Sequence, residues 1–167
     1  QTTKCNSNNI YFDGESTYRD ADMASIYANK NGQTISLADV YNIAEALTVK
    51  YRNDGFILTQ VVVPPQTIDG GNIKLRVVEG FIDRVSVEGA SDDKSLILVR
   101  QYAEKIQNSG PVNAKALERS LLLINDLPGV SARSVLRPSK TKTGGADLTI
   151  LVERDPFDAV VSLDNYG

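Results

Sequence analysis

The stretch GGNIKLRVVEGFIDRVSVEG, residues 70–89, determines the fold that this sequence predicts. Residues 73–78 alternate apolar and polar side chains, which is the period-two pattern of a strand with one buried face. Residues 82–88 form a second strand-like run, and only Glu79 and Gly80 separate the two runs. We infer that one α+β unit ends at this junction and that a second unit begins there.

An internal duplication supports this division into two units. Three pairs of landmarks are each 74 residues apart, namely Gly55 and Gly129, Gly70-Gly71 and Gly144-Gly145, and Glu79 and Glu153. The shared spacing predicts two copies of a module of about 75 residues. We therefore expect a flexible segment at residues 1–9, a first domain at residues 10–80 and a second domain at residues 81–155.

The two copies have the same predicted order of elements: strand, helix, helix, strand, strand. In the first copy the strands are residues 9–13, 56–63 and 73–78; the first helix is about residues 20–28, and the second is capped by Ser36 and ended by residues 53–55. In the second copy the strands are residues 82–88, 130–137 and 147–152, and the helices are residues 92–108 and 114–125. Three strands covered by two helices are about the smallest sheet that buries a core. The predicted fold class is α+β, with a three-stranded mixed sheet and two covering helices in each unit.

The helix after Ser36 has the clearest pattern in the chain. Ser36 followed by Asp39 is a relative of the capping box. Apolar residues recur at helical spacing along one side of this helix, at Leu37, Val40, Ala44, Leu47 and Tyr51. We expect Tyr51 to lie in the core, and we expect the amide of Gln66, which follows two prolines, to satisfy backbone groups of a loop.

Composition excludes several classes of function. The chain has 41% apolar and 23% charged residues, as globular domains do, and its net charge of −3 argues against a general nucleic-acid binder. It has no histidine and a single cysteine, Cys5, so an internal disulfide and histidine-based catalysis are excluded. The carboxylates are scattered and no phosphate-binding glycine motif is present. We therefore expect no catalytic residues, no metal site and no cofactor.

Residues 47–80 carry the pattern L-T-x-x-Y-x-x-x-G-F…V-P-P-Q-x-I-x-x-G-x-I-x-L-x-V-V-E-G. This pattern resembles the first POTRA domain of two-partner secretion transporters, the TpsB outer-membrane proteins that export haemolysins, adhesins and contact-dependent toxins. The matching residues are Leu47, Thr48, Tyr51, Gly55, Phe56, Pro65, Gln66, Gly71, Leu75, Val77, Val78, Glu79 and Gly80. The second unit resembles the POTRA domain that follows, and residues 156–167, PFDAVVSLDNYG, resemble the start of the first barrel strand.

The resemblance implies the periplasmic part of a longer Gram-negative outer-membrane protein. Such a part would be a monomer that binds an unfolded TpsA-type exported protein, called the client below, and passes it to its own C-terminal β-barrel. No nucleic acid is implied as a partner. Two other interpretations stay open: a POTRA scaffold for outer-membrane protein assembly or division-complex partners, and an unrelated soluble α+β binding module.

The resemblance also suggests where the client binds. An exposed strand edge offers unpaired backbone groups that an extended peptide can complete, and the second strand of each unit is the suggested edge. The candidate client-binding residues are Phe56, Ile57, Thr59, Val61 and Val63 in the first unit and Ser131, Arg133, Val135 and Arg137 in the second. Two alternatives stay open, since the first face could pack against a neighbouring domain or loop, and the arginines, with Lys140 and Lys142, could protect the edge or contact a lipid surface.

Glu79, Gly80 and Phe81 join the two units with almost no linker. A junction this short leaves little room for independent tumbling. We therefore expect these three residues to fix the angle between the units.

Overall fold

A computed structural model describes residues 4–6, 9–14, 17–68, 70–89 and 93–154 of the chain. Contacts divide the chain into two compact units, Gln1–Gly80 and Phe81–Gly167. The segment that resembles a barrel strand, residues 156–167, lies outside the described residues.

The first unit contains five strands and two α-helices. In chain order they are β1 (Lys4–Asn6), β2 (Asn9–Asp13), α1 (Asp20–Tyr27) with a 3₁₀ turn at Ala28–Lys30, β3 (Thr34–Ser36), α2 (Leu37–Asn53), β4 (Gln60–Val62) and β5 (Asn72–Val78). Its main sheet has the order β2-β5-β4, in which β2 is parallel and β4 antiparallel to β5. The predicted β-α-α-β-β unit with a mixed three-stranded sheet is therefore confirmed.

The core of the first unit lies between this sheet and its two helices. The side chains of Ile73, Leu75 and Val77 alternate inward along β5, as the period-two pattern predicts. Met23 of α1 and a stripe along α2 cover them, and the fully or nearly buried residues of that stripe are Val40, Ile43, Ala44, Leu47 and Tyr51. Leu37, expected in the stripe, is 44% exposed because it starts the helix at the rim of the sheet.

The start of α2 confirms the capping prediction. The Ser36 hydroxyl accepts a hydrogen bond from the Asp39 amide at 3.2 Å, and the Asp39 carboxylate accepts one from the Ser36 amide at 2.9 Å. This reciprocal pair satisfies two helix-terminal donors. The hydrogen bonds that the Ser36 amide and hydroxyl donate to the carboxylate hold the pKa of Asp39 below its usual value.

One prediction for the first unit is wrong. The strand expected at residues 56–63 begins only at Gln60, because Gly55 adopts a φ of +101° and turn hydrogen bonds run from Phe56 N to Tyr51 O at 2.9 Å and from Thr59 N to Phe56 O at 3.2 Å. Residues 4–6, within the segment expected to be flexible, form β1, which pairs antiparallel with β3 in the register Cys5 to Ile35. The strand-like composition of residues 56–59 does not indicate the turn hydrogen bonds that delay the start of β4.

In residues 81–89 and 93–154, the second unit repeats the first without the additional small sheet. Its elements are β6 (Phe81–Gly89), α3 (Asp93–Gln107), α4 (Ala114–Asn125), β7 (Val130–Pro138) and β8 (Gly145–Arg154). The sheet order is β6-β8-β7, with β6 parallel and β7 antiparallel to β8. Its main buried residues are Val99, Ala103, Ile106, Ile124, Leu148, Ile150 and Val152.

A buried carboxylate anchors the β7–β8 turn of the second unit. The register of β6 against β8 shifts between Ile82 and Arg84, which places Asp83 at an irregularity of the strand. The Asp83 carboxylate accepts hydrogen bonds from the Ser139 and Thr141 hydroxyls and forms an ion pair with Lys142, each at 2.8 Å. These donors, with Lys142 the strongest, lower the pKa of Asp83 well below its usual value. The side chain thus ties the turn between β7 and β8 to β6.

Candidate peptide-binding edges and grooves

In both units the strand that follows the second α-helix, β4 in the first unit and β7 in the second, lies at an edge of its sheet. β4 pairs with β5 alone and β7 pairs with β8 alone among the described residues. An edge strand leaves one row of backbone N–H and C=O groups without a ladder partner. Whether an extended peptide can use that row depends on what occupies it, and the two units differ in this respect.

The edge of the first unit is short and its centre is occupied. β4 has three residues, and the Val61 amide donates a hydrogen bond to the Thr48 hydroxyl of α2 at 2.9 Å. The same hydroxyl donates to the Ala44 carbonyl at 2.9 Å, one helical turn earlier. A helix side chain therefore holds the outward donor of β4, and little backbone remains for a peptide to pair with.

The residues proposed for client contact in the first unit do not share one surface. Thr59 and Val61 are only 2% and 6% exposed, whereas the exposed residues of β4 are Gln60 and Val62. Phe56 is half-buried, with its ring centroid 6.0 Å from that of Tyr51. Of the other two proposed residues, Ile57 is exposed in the turn before β4, and Val63 is half-buried just after the strand. The residues do not share a surface because Phe56 and Ile57 lie in the turn before β4, whereas the Val61 side chain faces the core from the strand itself.

Beside β4, the first unit has an apolar groove. Leu37 and Tyr41, 44% and 54% exposed, line one wall on α2. The opposite wall is the segment after β4, and the groove, of about 240 Å³, also includes Val63, Pro64, Pro65, Gln66 and Ile68. Since large apolar side chains are left exposed on a concave surface, this groove is a candidate contact site for apolar side chains.

Gln66 fixes the outer wall of that groove. Its side-chain amide donates to the Lys74 carbonyl at 2.7 Å and accepts from the Lys74 amide at 2.8 Å. The side chain thereby takes the place of a strand residue beside β5, just beyond the end of β4. The side-chain amide also donates to the Pro64 carbonyl in the loop at 3.3 Å, as expected, whereas its two shorter hydrogen bonds join a strand residue and not a loop group.

The edge of the second unit is longer and more open. β7 has nine residues, and the Asn125 side chain occupies one position: the Ala132 amide donates to it at 2.6 Å and the Ala132 carbonyl accepts from it at 3.1 Å. In an antiparallel ladder, both backbone groups of a residue point either to the partner or away from it, and the two states alternate along the strand. Because the backbone N–H and C=O groups of Ala132 point away from β8, those of Ser134 and Leu136 do so as well.

The outward groups of Ser134 and Leu136 have no hydrogen-bond partner among the described residues. The next outward position is Pro138, which has no N–H to offer. The open part of the edge is therefore bounded by Ala132 on one side and by Pro138 on the other.

The arginines proposed for client contact flank this open part. Ser131, Arg133 and Arg137 are exposed and Val135 is half-buried, and all four point to the sheet face away from the helices. Arg133 forms an exposed ion pair with Glu153 at 3.3 Å, whereas Arg137 has no ion pair among the described residues. The second unit thus offers a backbone edge with two cationic side chains beside it.

On the helix side, the edge of β7 faces the end of α4. Residues 118 and 122 lie on the same side of the helix as Asn125, seven and three positions before it, respectively. Leu122 is 59% exposed. This side chain therefore borders the space where a strand added to β7 would lie.

The three junction residues make contacts inside their own units. The Glu79 carboxylate accepts hydrogen bonds from the Thr17 amide and, at 2.9 Å, from the Thr17 hydroxyl. A Cβ at Gly80 would lie 2.3 Å from the Cβ of Leu58. The Phe81 amide donates to the Gly144 carbonyl at 3.2 Å. A role of these residues in the angle between the units stays a prediction.

Thr48 and Asn125 are the site residues that sequence reasoning missed. Each is a polar residue on the side of a helix that precedes the edge strand, and each binds one outward residue of that strand. Their separation from the bound residue differs, 13 positions in the first unit and 7 in the second. The available signal was a hydrogen-bonding side chain at the rim of an otherwise apolar helix face.

Two further observations concern the described residues as a whole. They contain no group of carboxylates and thiols placed to hold a metal ion. No helix in the described ranges has the length and apolar character needed to cross a bilayer.

The chain is similar to proteins with POTRA domains. The family of ShlB-type POTRA domains matches residues 6–80. The heme/hemopexin transporter protein HuxB of Haemophilus influenzae is 31% identical over 147 residues, which make up 87% of this chain and 26% of that protein. The chain thus spans about a quarter of the length of this curated relative.

Solved structures show the same fold. CdiB from Escherichia coli has a TM-score of 0.75 at 19% identity, over 90% of this chain and 27% of that one. The N-terminal domain of Omp85 from Thermosynechococcus elongatus has a TM-score of 0.72 at 20% identity, over 90% of this chain and 66% of that one. Similarity at this level of identity concerns the fold alone.

Proposed function

We propose that this chain is the periplasmic POTRA part of a two-partner secretion transporter and that it recognises the client of such a transporter. The match of residues 6–80 to the ShlB-type POTRA domains and the similarity to HuxB over 87% of the chain support this proposal. The client binds while it is unfolded and is then passed to the β-barrel pore that a longer chain would supply. Neither a cofactor nor a catalytic step is part of this proposal.

The observation that carries the proposal is the open edge of β7. An unfolded client has many unpaired backbone groups, and Ser134 and Leu136 present donors and acceptors that such a chain can complete by strand addition. A folded client has already paired its own backbone groups. The edge therefore distinguishes unfolded from folded protein without reading a long sequence.

The groove of the first unit supports the same proposal in a different way. Leu37 and Tyr41 offer exposed apolar surface next to a rigid wall that Gln66 holds in place. This surface suits apolar side chains of an extended segment and requires no backbone pairing. Few hydrogen bonds and a shallow apolar contact give the weak, reversible binding that handover to a pore needs.

A backbone NMR titration tests the proposal. The ¹⁵N-labelled chain is titrated with the N-terminal secretion domain of the exported protein encoded next to its gene, held unfolded in mild urea, and separately with the folded domain. We expect shifts at β7 and at the groove around Tyr41 with the unfolded form alone. Absence of shifts with either form would contradict client recognition and favour a scaffold role in outer-membrane assembly or division complexes.

A further inference from the structure

We propose that the β7 edge selects client segments of five residues with an acidic residue at each end and apolar residues at the three positions between. This inference rests on the proposed function and states which client sequences the second unit binds. The length, the charge pattern and the apolar positions each follow from a separate feature of β7.

The length follows from the two ends of the open edge. Asn125 occupies both backbone groups of Ala132, and Pro138 lacks the donor that the pairing would need. Two outward residues, Ser134 and Leu136, are left, and a strand that pairs with both of them lies opposite residues 133–137. The bound segment is therefore five residues long.

The charge pattern follows from the sheet face that points away from the helices. Arg133, Val135 and Arg137 alternate on that face of β7. A strand added next to β7 places its first, third and fifth side chains beside these three residues, at cross-strand distances of about 5 Å. Carboxylates at the first and fifth positions would pair with the arginines, and an apolar third residue would pack on Val135.

The apolar second and fourth positions follow from the helix side. They face the side chains of Ser134 and Leu136 and the exposed Leu122 of α4. Glu118 lies on the same side of α4 and disfavours a further carboxylate there. Since the pattern of acidic, three apolar and acidic residues reads the same in both directions, it holds for parallel and antiparallel addition.

Charge at this edge also excludes other strands. Cationic residues on an edge discourage pairing with strands that carry no compensating charge. Edge protection and client selection therefore have the same physical cause here, because an acidic pair removes the repulsion that deters a neutral or basic strand.

The test compares two soluble peptides that differ only in the end charges. Both have Gly-Ser flanks, and their central segments are Glu-Leu-Val-Leu-Glu and Lys-Leu-Val-Leu-Lys. In an NMR titration of the whole chain at low salt, we expect the acidic peptide to bind at least about tenfold more tightly, with shifts at β7. We also expect added salt to reduce this difference. Equal affinities would overturn the inference.

Matched variants locate the effect. Arg133→Glu combined with Arg137→Glu should reverse the preference in favour of the basic peptide, whereas Arg84→Glu, on the far edge strand β6, should leave it in place. Ser134→Pro should abolish binding of both peptides because it removes an outward donor, and Ser134→Ala, which keeps the donor, should not. A preference that survives the double arginine variant would overturn the inference.

The two levels of the proposal fail in different ways. If the unfolded secretion domain shifts β7 but the two peptides bind equally, the charge pattern is wrong and client recognition stands. If the unfolded domain produces no shifts at β7, client recognition by this edge is wrong as well.

Discussion

In the first unit the edge strand β4 has three residues, and the Thr48 hydroxyl of the preceding helix binds the N–H of its central residue. In the second unit β7 has nine residues, and the Asn125 side chain of the preceding helix binds the backbone of Ala132 near the start of the strand. Beside β4 lies an apolar groove, and beside β7 lie two arginines. The same β-α-α-β-β unit thus presents side-chain surface in one copy and backbone groups in the other.

The length of the connection between helix and strand accounts for this difference. In the first unit α2 ends at Asn53 and β4 starts at Gln60, and the residues between them form a turn around Gly55. In the second unit α4 ends at Asn125 and β7 starts at Val130. The shorter connection lets β7 enter the sheet early and run the full length of β8, so more of its edge remains open.

The largest effect on stability should come from proline at a residue of β7 whose N–H points toward β8, in contrast to proline at a residue whose N–H points outward. Val135→Pro removes an N–H that points toward β8 and should lower the free energy of unfolding of the second unit by about 2–4 kcal/mol. Ser134→Pro removes an outward N–H and should cost less than about 1 kcal/mol. Urea unfolding followed by NMR signals of each unit measures both, and similar costs would refute the assignment of outward residues.

The Thr48 hydroxyl, which occupies the edge of the first unit, should matter for stability and little for binding. Thr48→Val keeps the side-chain shape but leaves the Val61 amide without its acceptor, which should cost about 1–3 kcal/mol of first-unit stability. Urea unfolding of the first unit measures the loss. A large gain in client affinity in this variant would show instead that β4 is a usable edge.

Opening the edge of the second unit further should cost little stability and should strengthen client binding. Asn125→Ala frees both backbone groups of Ala132, at a cost of about 1 kcal/mol in stability, and should raise the affinity for the unfolded client about three- to tenfold. Isothermal titration against the unfolded secretion domain measures the gain. Unchanged or weaker binding would argue against strand addition at this end of β7.

The groove of the first unit should contribute a smaller share of binding. Tyr41→Ser should weaken client binding about threefold and change first-unit stability by less than about 0.5 kcal/mol. Ile97→Ser, which removes a similarly exposed apolar side chain from α3, is the control and should leave affinity unchanged. Equal effects of the two variants on affinity in the same titration would show that the groove does not contribute to client binding.

Acid should reveal the anchor of the β7–β8 turn. The pKa of Asp83 in the folded state lies below its value in the unfolded chain, about 3.9. Its stabilising contribution is therefore complete above that value and is lost as the pH falls below it. The difference in urea midpoint between the wild type and Asp83→Asn should shrink from pH 7 to pH 3, and a constant difference would contradict the role given to Asp83.

Local patterning was sufficient to predict the order of elements and much of the core. The alternation along β5 and the capping box at Ser36 depend on residues close in sequence. The start of β4 was mispredicted because residues 56–59 have strand-like composition but are held in a turn by hydrogen bonds to the end of α2. The contacts of Thr48 and Asn125 with the edge strands were missed because a polar side chain at the rim of a helix face does not by itself indicate which strand residue it binds.

Amide hydrogen exchange at Ser134 and Leu136 tests most directly whether the client adds to β7. Both amides point away from β8, so they should exchange rapidly in the free chain, while Val135 and Arg137, which pair with β8, exchange slowly. With the unfolded secretion domain bound, Ser134 and Leu136 should become protected, whereas Val61 of the first edge should not change. If the client binds and these two amides continue to exchange rapidly, strand addition at β7 is ruled out.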